Sequence, residues 1–199
     1  MNGNAVVRHL KFWSAWLRDP RQVGALVPSS PALARAMADA IPTAAPGMVV
    51  ELGGGTGAIS RAILERIPPE HLAIVERDPE LANLLARRFP GVRVIHGDAT
   101  RLSEWLAAAG IDRVCCVISA LPLLSLPDAD RAAVIAAIRR VLPPGGRLVQ
   151  FTYGFGNPLK TVPGEIGRWC ARRLKWVLFN LPPAFVWCYE ALPPDSEPR

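Results

Sequence analysis

The stretch 48-MVVELGGGTG-57 decides how this 199-residue chain is read. Met48-Val49-Val50 is a short apolar run, the pattern of a buried parallel strand. Glu51 closes that run, and Gly53, Gly54, Gly55 and Gly57 follow within five positions. From Ala58 to Arg66 the spacing turns helical, with Ile59, Ile63 and Ile67 four apart. The order is strand, glycine turn, helix. Glycines let the backbone turn sharply and approach a ligand, and a helix start adds unpaired N–H groups.

Nucleotide-binding sheets of several kinds share a Gly-x-Gly-x-Gly turn, and three details narrow the choice. No Gly-Lys-Ser/Thr follows, which excludes a phosphate-binding P-loop. Glu51 precedes the glycines, where an acid repels phosphate and suits a cationic amino group. Glu76, with Arg77 beside it, closes the next apolar strand, His71–Val75, where a carboxylate can accept from two ribose hydroxyls. A ligand with a ribose, an amino-acid end and no pyrophosphate is S-adenosylmethionine. Gly53 and Gly55 are then its backbone contacts. The alternative is an ordinary glycine turn in an α/β domain.

Outward from this core, Gly91 leads a third strand over Val92–Ile95, followed by His96-Gly97-Asp98-Ala99. Asp98 can accept from an adenine amino group while the Ala99 N–H pairs with a ring nitrogen; otherwise Asp98 caps a helix from Thr100 to Ala109. His96 reads as a wall residue. Ile111–Ile118 is a fourth strand, and Ser119-Ala-Leu-Pro122 leaves its tip, where ligands of open α/β sheets sit. Asp128–Leu142 is a helix and Arg147–Thr152 a fifth strand, with Tyr153 at its tip. Residues 163–173 read as a short basic amphipathic stretch. Two closing strands, Leu174–Asn180 and Ala184–Ala191, form a hairpin that puts the last strand antiparallel at the sheet edge.

On the other side of the glycine turn, residues 4–19 read as a helix with Val6, Leu10, Trp13 and Leu17 on one stripe. Phe12 and Trp16 flank the stripe and Lys11 and Arg18 oppose it, as in an interfacial membrane helix; a helix packed on the domain fits equally. Ser30-Pro31 reads as cap and first position of a helix through Ala40. Ser29 and Ser30 either meet the cofactor's methionine carboxylate or serve only as caps. The expected organisation is a membrane-binding helix over 1–21, one catalytic domain over 22–192 and a disordered tail over 193–199.

The length suits one α/β domain with a full core. Half the residues are hydrophobic, yet no window approaches the roughly 20 apolar residues of a membrane span. No signal peptide is expected, and the chain reads as cytoplasmic. The four cysteines lack metal spacing and read as reduced core thiols, with Cys115 and Cys116 on opposite faces of a strand, and no metal is expected. The net charge of +6 is uneven. Residues 1–47 carry +3, 48–158 carry +1, 159–180 carry +4 and 181–199 carry −2. Positive charge therefore flanks a nearly neutral core, which suits an anionic surface.

Over residues 48–191 the chain resembles class I S-adenosylmethionine-dependent methyltransferases, an α/β, Rossmann-like family with a seven-stranded, mostly parallel sheet. More narrowly, it resembles bacterial soluble-fold phospholipid N-methyltransferases. Val27-Pro-Ser-Ser-Pro31, Glu51–Gly57, Ser119–Leu123 and Asn180-Leu-Pro-Pro183 carry that resemblance, together with Asp19-Pro20 and Val23-Gly-Ala25. It implies stepwise methylation of phosphatidylethanolamine to phosphatidylcholine on the inner face of the cytoplasmic membrane. The related rRNA adenine dimethyltransferases carry an aromatic at the fourth strand tip and a C-terminal helical domain. Ser119-Ala-Leu-Pro122 lacks the aromatic and the chain stops after its hairpin, so nucleic acid is not the expected partner; the alternatives are an rRNA adenine or small-amine N-methyltransferase and a non-catalytic membrane-surface protein that senses the cofactor.

Methyl transfer needs an uncharged amine in line with the sulfonium carbon. Carbonyls near Ser119 and Leu121 are the candidates to orient that amine. Tyr153 is the candidate to receive the methylated ammonium, by a cation–π attraction of about 1–2 kcal/mol. Lys160, Arg18 or Arg21 would hold the lipid phosphate.

Overall fold

In the computed structural model of the protein the described residues are 29–42, 46–153, 157–159, 168–178, 180 and 183–193. The expected helix over 4–19 and the expected membrane or phosphate contacts Lys11, Trp13, Trp16, Arg18, Arg21 and Lys160 lie outside them.

Seven strands form one sheet: β1 (Met48–Leu52), β2 (Leu72–Glu76), β3 (Arg93–His96), β4 (Val114–Ser119), β5 (Arg147–Thr152), β6 (Trp169–Val177) and β7 (Ala184–Ala191). Their order is β3-β2-β1-β4-β5-β7-β6, with β7 antiparallel to both neighbours and β1 to β5 parallel. Helices α1 (Pro31–Ala38), α2 (Ala58–Leu64) and α3 (Pro79–Arg88) supply one core cluster with Val49, Ile74 and Ile118. Helices α4 (Leu102–Ala108) and α5 (Asp128–Val141) supply a second cluster with Val50, Leu52, Val75 and Val117. Successive β1 residues thus feed opposite layers. That explains the continuous apolar run of a strand covered on both faces, where each buried Val, Leu or Ile contributes about 1.5–3 kcal/mol.

The glycine turn is shaped by packing as well as by backbone angle. A Cβ on Gly54 would come within 2.6 Å of Ile74 Cγ2, and Gly57 has φ +84° where it opens α2. Both positions exclude ordinary side chains.

Four expectations are corrected. The last strand is antiparallel but lies inside the sheet, and β6 is the edge. β6 begins at Trp169, so Trp169–Arg173 is strand, not a separate amphipathic stretch. Cys115 and Cys116 both pack in the first cluster, because the register shifts beside Met48/Val49 and a bulge breaks the alternation. Cys170 is exposed on β6 and is not a core thiol. Smaller offsets occur at strand starts: β3 begins at Arg93 and β4 at Val114. Asp98 also opens a 3-10 turn, Ala99–Arg101, ahead of α4.

Candidate active site

The carboxyl ends of β1, β2, β3 and β4 open on a cleft of about 940 Å³. Gly53, Glu76, Arg77, Asp98, Ala99 and Leu121, six of the residues expected from sequence, line it. The start of α5 and the turn at Leu123–Ser125 close its far wall.

Each carboxylate is held by its own strand end. Glu76 Oε2 accepts the Gly55 N–H at 2.9 Å and Oε1 accepts the Asp78 N–H at 2.9 Å. The Glu76 carboxylate therefore fixes the glycine turn, and its remaining lone pairs stay available for hydroxyl donors. Asp98 Oδ1 accepts from the Thr100 N–H at 2.8 Å and from Thr100 Oγ1 at 2.7 Å. These two bonds hold its carboxyl below the usual range, the backbone bond most strongly, and the nearby Arg77 cation adds to this. The capping reading of Asp98 holds, since Oδ1 caps the turn, and the residue also lines the cleft. Trp105 donates its indole N–H to the Asp98 carbonyl at 3.1 Å, fixing this wall from α4.

Glu51 is fully buried on β1. Ser60 Oγ, from α2, donates to its Oε2 at 2.6 Å, while Oε1 has no hydrogen-bond partner among the described residues. Burial pushes its pKa up to about 8, with the Glu76 charge adding and the Ser60 hydrogen bond opposing. A buried carboxylate oxygen left unpaired costs free energy unless something cationic or protic meets it.

At the tip of β4, Ser119 is fully buried and its Oγ lies 3.4 Å from the Leu121 N–H that it accepts. The Leu121 carbonyl accepts from Gln150 Nε2 at 2.9 Å, and the same nitrogen donates to the Phe151 carbonyl at 2.9 Å. Two carbonyl partners fix which way the amide faces, and Gln150 Oε1 is buried without a partner among the described residues. Sequence reasoning missed Gln150. A polar residue in an apolar strand, directly across from Ser119 in the β4–β5 register, was the available signal.

Six expected residues are not in the cleft lining: Glu51, Gly55 and Ser119, placed above, and Ser29, Ser30 and Tyr153. Ser30 Oγ accepts from the Leu33 N–H at 3.2 Å, so it caps α1. Its own N–H donates to Asn180 Oδ1 at 3.1 Å. Tyr153 packs against the first core cluster, with its ring edge-on to Phe151 and its hydroxyl hydrogen-bonded with Asn180. Burial raises its pKa, and the Asn180 bond opposes that rise. Asn180 thus ties the Pro-Ser-Ser-Pro segment to the tip of β5 and the last hairpin, a link across 150 positions that local pattern does not announce. Ser29 is half-buried beside it.

These donors and acceptors fit S-adenosylmethionine. The cleft offers carboxylates at 76 and 98, a glycine backbone and the unpaired Glu51 oxygen nearby. Its one lining cation is Arg77, whose side chain is 83% exposed, so a pyrophosphate would find little to bind among the described residues.

Comparison with known proteins agrees. A family model described as "Methyltransferase domain" matches residues 49–146. The ornithine lipid N-methyltransferase of Singulisphaera acidiphila is 33% identical over 182 residues, covering 87% of this chain and 91% of that protein. The ribosomal RNA small subunit methyltransferase H of Bordetella avium is 37% identical over 109 residues, 52% of this chain but 31% of that protein. A TehB-like S-adenosylmethionine-dependent methyltransferase from Corynebacterium glutamicum superposes with TM-score 0.58 at 20% identity, over 92% of this chain and 98% of that one. S-adenosylmethionine is the cofactor, and the chain belongs to the class I S-adenosylmethionine-dependent methyltransferases.

Proposed function

We propose that this enzyme N-methylates a primary amine on a membrane lipid headgroup. Likeness over nine-tenths of the length of a lipid N-methyltransferase carries the reading, whereas the ribosomal RNA relative shares a third of its length. Ornithine lipid and phosphatidylethanolamine both present such an amine. The first is named for the relative. The second is implied by the Pro-Ser-Ser-Pro and Asn-Leu-Pro-Pro resemblance, and would pass through mono- and dimethyl forms to phosphatidylcholine.

Bound S-adenosylmethionine supplies an electrophilic methyl group on a sulfonium sulfur. In this reading Glu51 meets the cofactor's ammonium, Gly53 and Gly55 present backbone, Glu76 accepts from the ribose, and Asp98 and Ala99 bind the adenine. The Leu121 carbonyl already accepts from Gln150 Nε2 and from the Leu123 N–H, which fixes the Ser119–Leu121 segment that orients the substrate amine. Ser119 sets the Leu121 N–H. The substrate ammonium loses its proton before transfer, to water or to a positioned group. Tyr153 acts through Asn180 rather than from the cleft wall.

Expression in a bacterial host that makes phosphatidylethanolamine but no methylated lipids tests this. Thin-layer chromatography of the extracted lipids should show new spots carrying label from methyl-labelled methionine, and adding ornithine lipid synthesis separates the two substrates. An unlabelled lipid fraction alongside folded, cofactor-binding protein would count against any lipid amine.

A further inference from the structure

The edge strand β6 carries Arg172, Arg173 and Lys175, follows Arg168, and has no acid from 168 to 178. Six of its nine residues are exposed apart from half-buried Leu174 and the buried ends Trp169 and Val177. Trp176 is 52% exposed and Leu178, just past the strand, 56%. Lys and Arg on an edge strand discourage pairing with another chain, which accounts for the charge. It does not account for two large apolar side chains at one end of it.

Position in the sheet gives those side chains meaning. β6 runs in the same sense as β5, because β7 is antiparallel to both. One cross-strand row joins Leu52, Ser119, Gln150, Trp187 and Arg173. Arg173 therefore lies level with the strand ends that open the cleft. Lys175 shares the next outward row with Val186 and Phe151, Trp176 the one after it with Phe185 and Thr152, and Leu178 extends beyond. Trp176 stacks on Phe185 at 5.6 Å, which holds one ring face and leaves the rest exposed. Arg173 sits over Phe185 and Trp187 at 5.3 and 5.9 Å. The acid of the hairpin, Glu190, pairs with Cys170 at the opposite end of the strand.

We propose that the outer end of β6 is a lipid-docking edge: Trp176 and Leu178 enter the interface of an anionic bilayer while Arg173 and Lys175 meet its headgroups, turning the mouth of the cleft toward the membrane. This rests on the lipid reading and adds the orientation. Tryptophan at the headgroup level backed by basic residues is what such an interface favours, each cation adding about 1 kcal/mol. RNA would be met by charge along the whole strand rather than by an apolar tip.

The exposed thiol of Cys170 provides the control, since it lies more than about 20 Å from Leu178 at roughly 3.3 Å per residue. An environment-sensitive fluorophore is attached either to native Cys170 or to Leu178→Cys in a Cys170→Ser background. Vesicles of equal phosphatidylglycerol and phosphatidylethanolamine should blue-shift the probe at 178 and leave the probe at 170 unchanged. Arg173→Glu with Lys175→Glu should lower vesicle partitioning at least about tenfold. The inference is overturned if the protein sediments with these vesicles while the probe at 178 is silent, if both probes respond alike, or if RNA shifts the probe at 178 and vesicles do not. Failure to sediment with labelled lipid still forming in the host would sink the docking edge alone, whereas failure of both would sink the lipid reading as well.

Discussion

Glu51→Gln is expected to weaken S-adenosylmethionine binding at least about tenfold, and to remove a pH dependence from both binding and stability. The sign follows from burial. The folded carboxyl has its pKa raised to about 8 against 4.5 for the ordinary group. Between these values the folded protein holds a proton that the unfolded chain has released. Stability from this group is therefore complete below about pH 4.5 and falls as pH rises toward 8, by a total on the order of a few kcal/mol. Gln keeps the shape without the charge, so the unliganded variant should melt higher than the parent at pH 8 and show a flatter stability curve. A ligand ammonium favours the ionised carboxylate. Parent affinity should accordingly rise between about pH 6 and 7.5, while that of Glu51→Gln stays level. Calorimetry at several pH values checks both. Unchanged affinity with the parent's pH slope would remove Glu51 from the pocket.

The second large effect is expected at Gln150. Gln150→Leu leaves the Leu121 and Phe151 carbonyls without their shared amide donor, a cost of about 1–3 kcal/mol for a buried group. Leu121 then loses one of the two bonds that set its carbonyl, the Leu123 N–H being the other, and a shift of about 1 Å at the acceptor site can cost about a hundredfold in rate. The turnover number should fall between about ten- and a hundredfold with cofactor affinity intact, since the proposed cofactor contacts lie at the ends of β1, β2 and β3. Gln150→Glu separates positioning from packing: protonated, its carboxyl can donate to Leu121, so activity should recover as pH falls. Loss of cofactor binding in step with activity would mean that Gln150 serves stability alone.

What the sequence conveyed and what it hid divide along physical lines. β1, the glycine turn, Glu76 and Asp98 were readable because a buried strand, a sharp turn and a strand-end carboxylate are local patterns. The hairpin of β6 and β7 was readable as well, but adjacency in sequence does not say which strand of a hairpin meets the parent sheet. β7 inserts beside β5 because it is the apolar member, buried at six of eight positions. β6 is exposed on both faces, so it lost the alternation that marks a half-buried strand, and its first residues read as part of a basic amphipathic stretch. Gln150, Ser60 and Trp105 act through contacts 7 to 29 positions away, between strand, helix and loop, which a secondary-structure pattern does not announce. Tyr153 was placed at the right strand tip, but side-chain direction depended on Asn180, from the other side of the hairpin.

The most direct measurement uses purified full-length protein and S-adenosylmethionine with a labelled methyl group. Three acceptors are offered in parallel: vesicles of phosphatidylethanolamine with phosphatidylglycerol, the same vesicles with ornithine lipid, and ribosomal RNA. Label in the amine lipids of at least one vesicle, and none in RNA, is the predicted result; label in RNA with both vesicle preparations blank would contradict it.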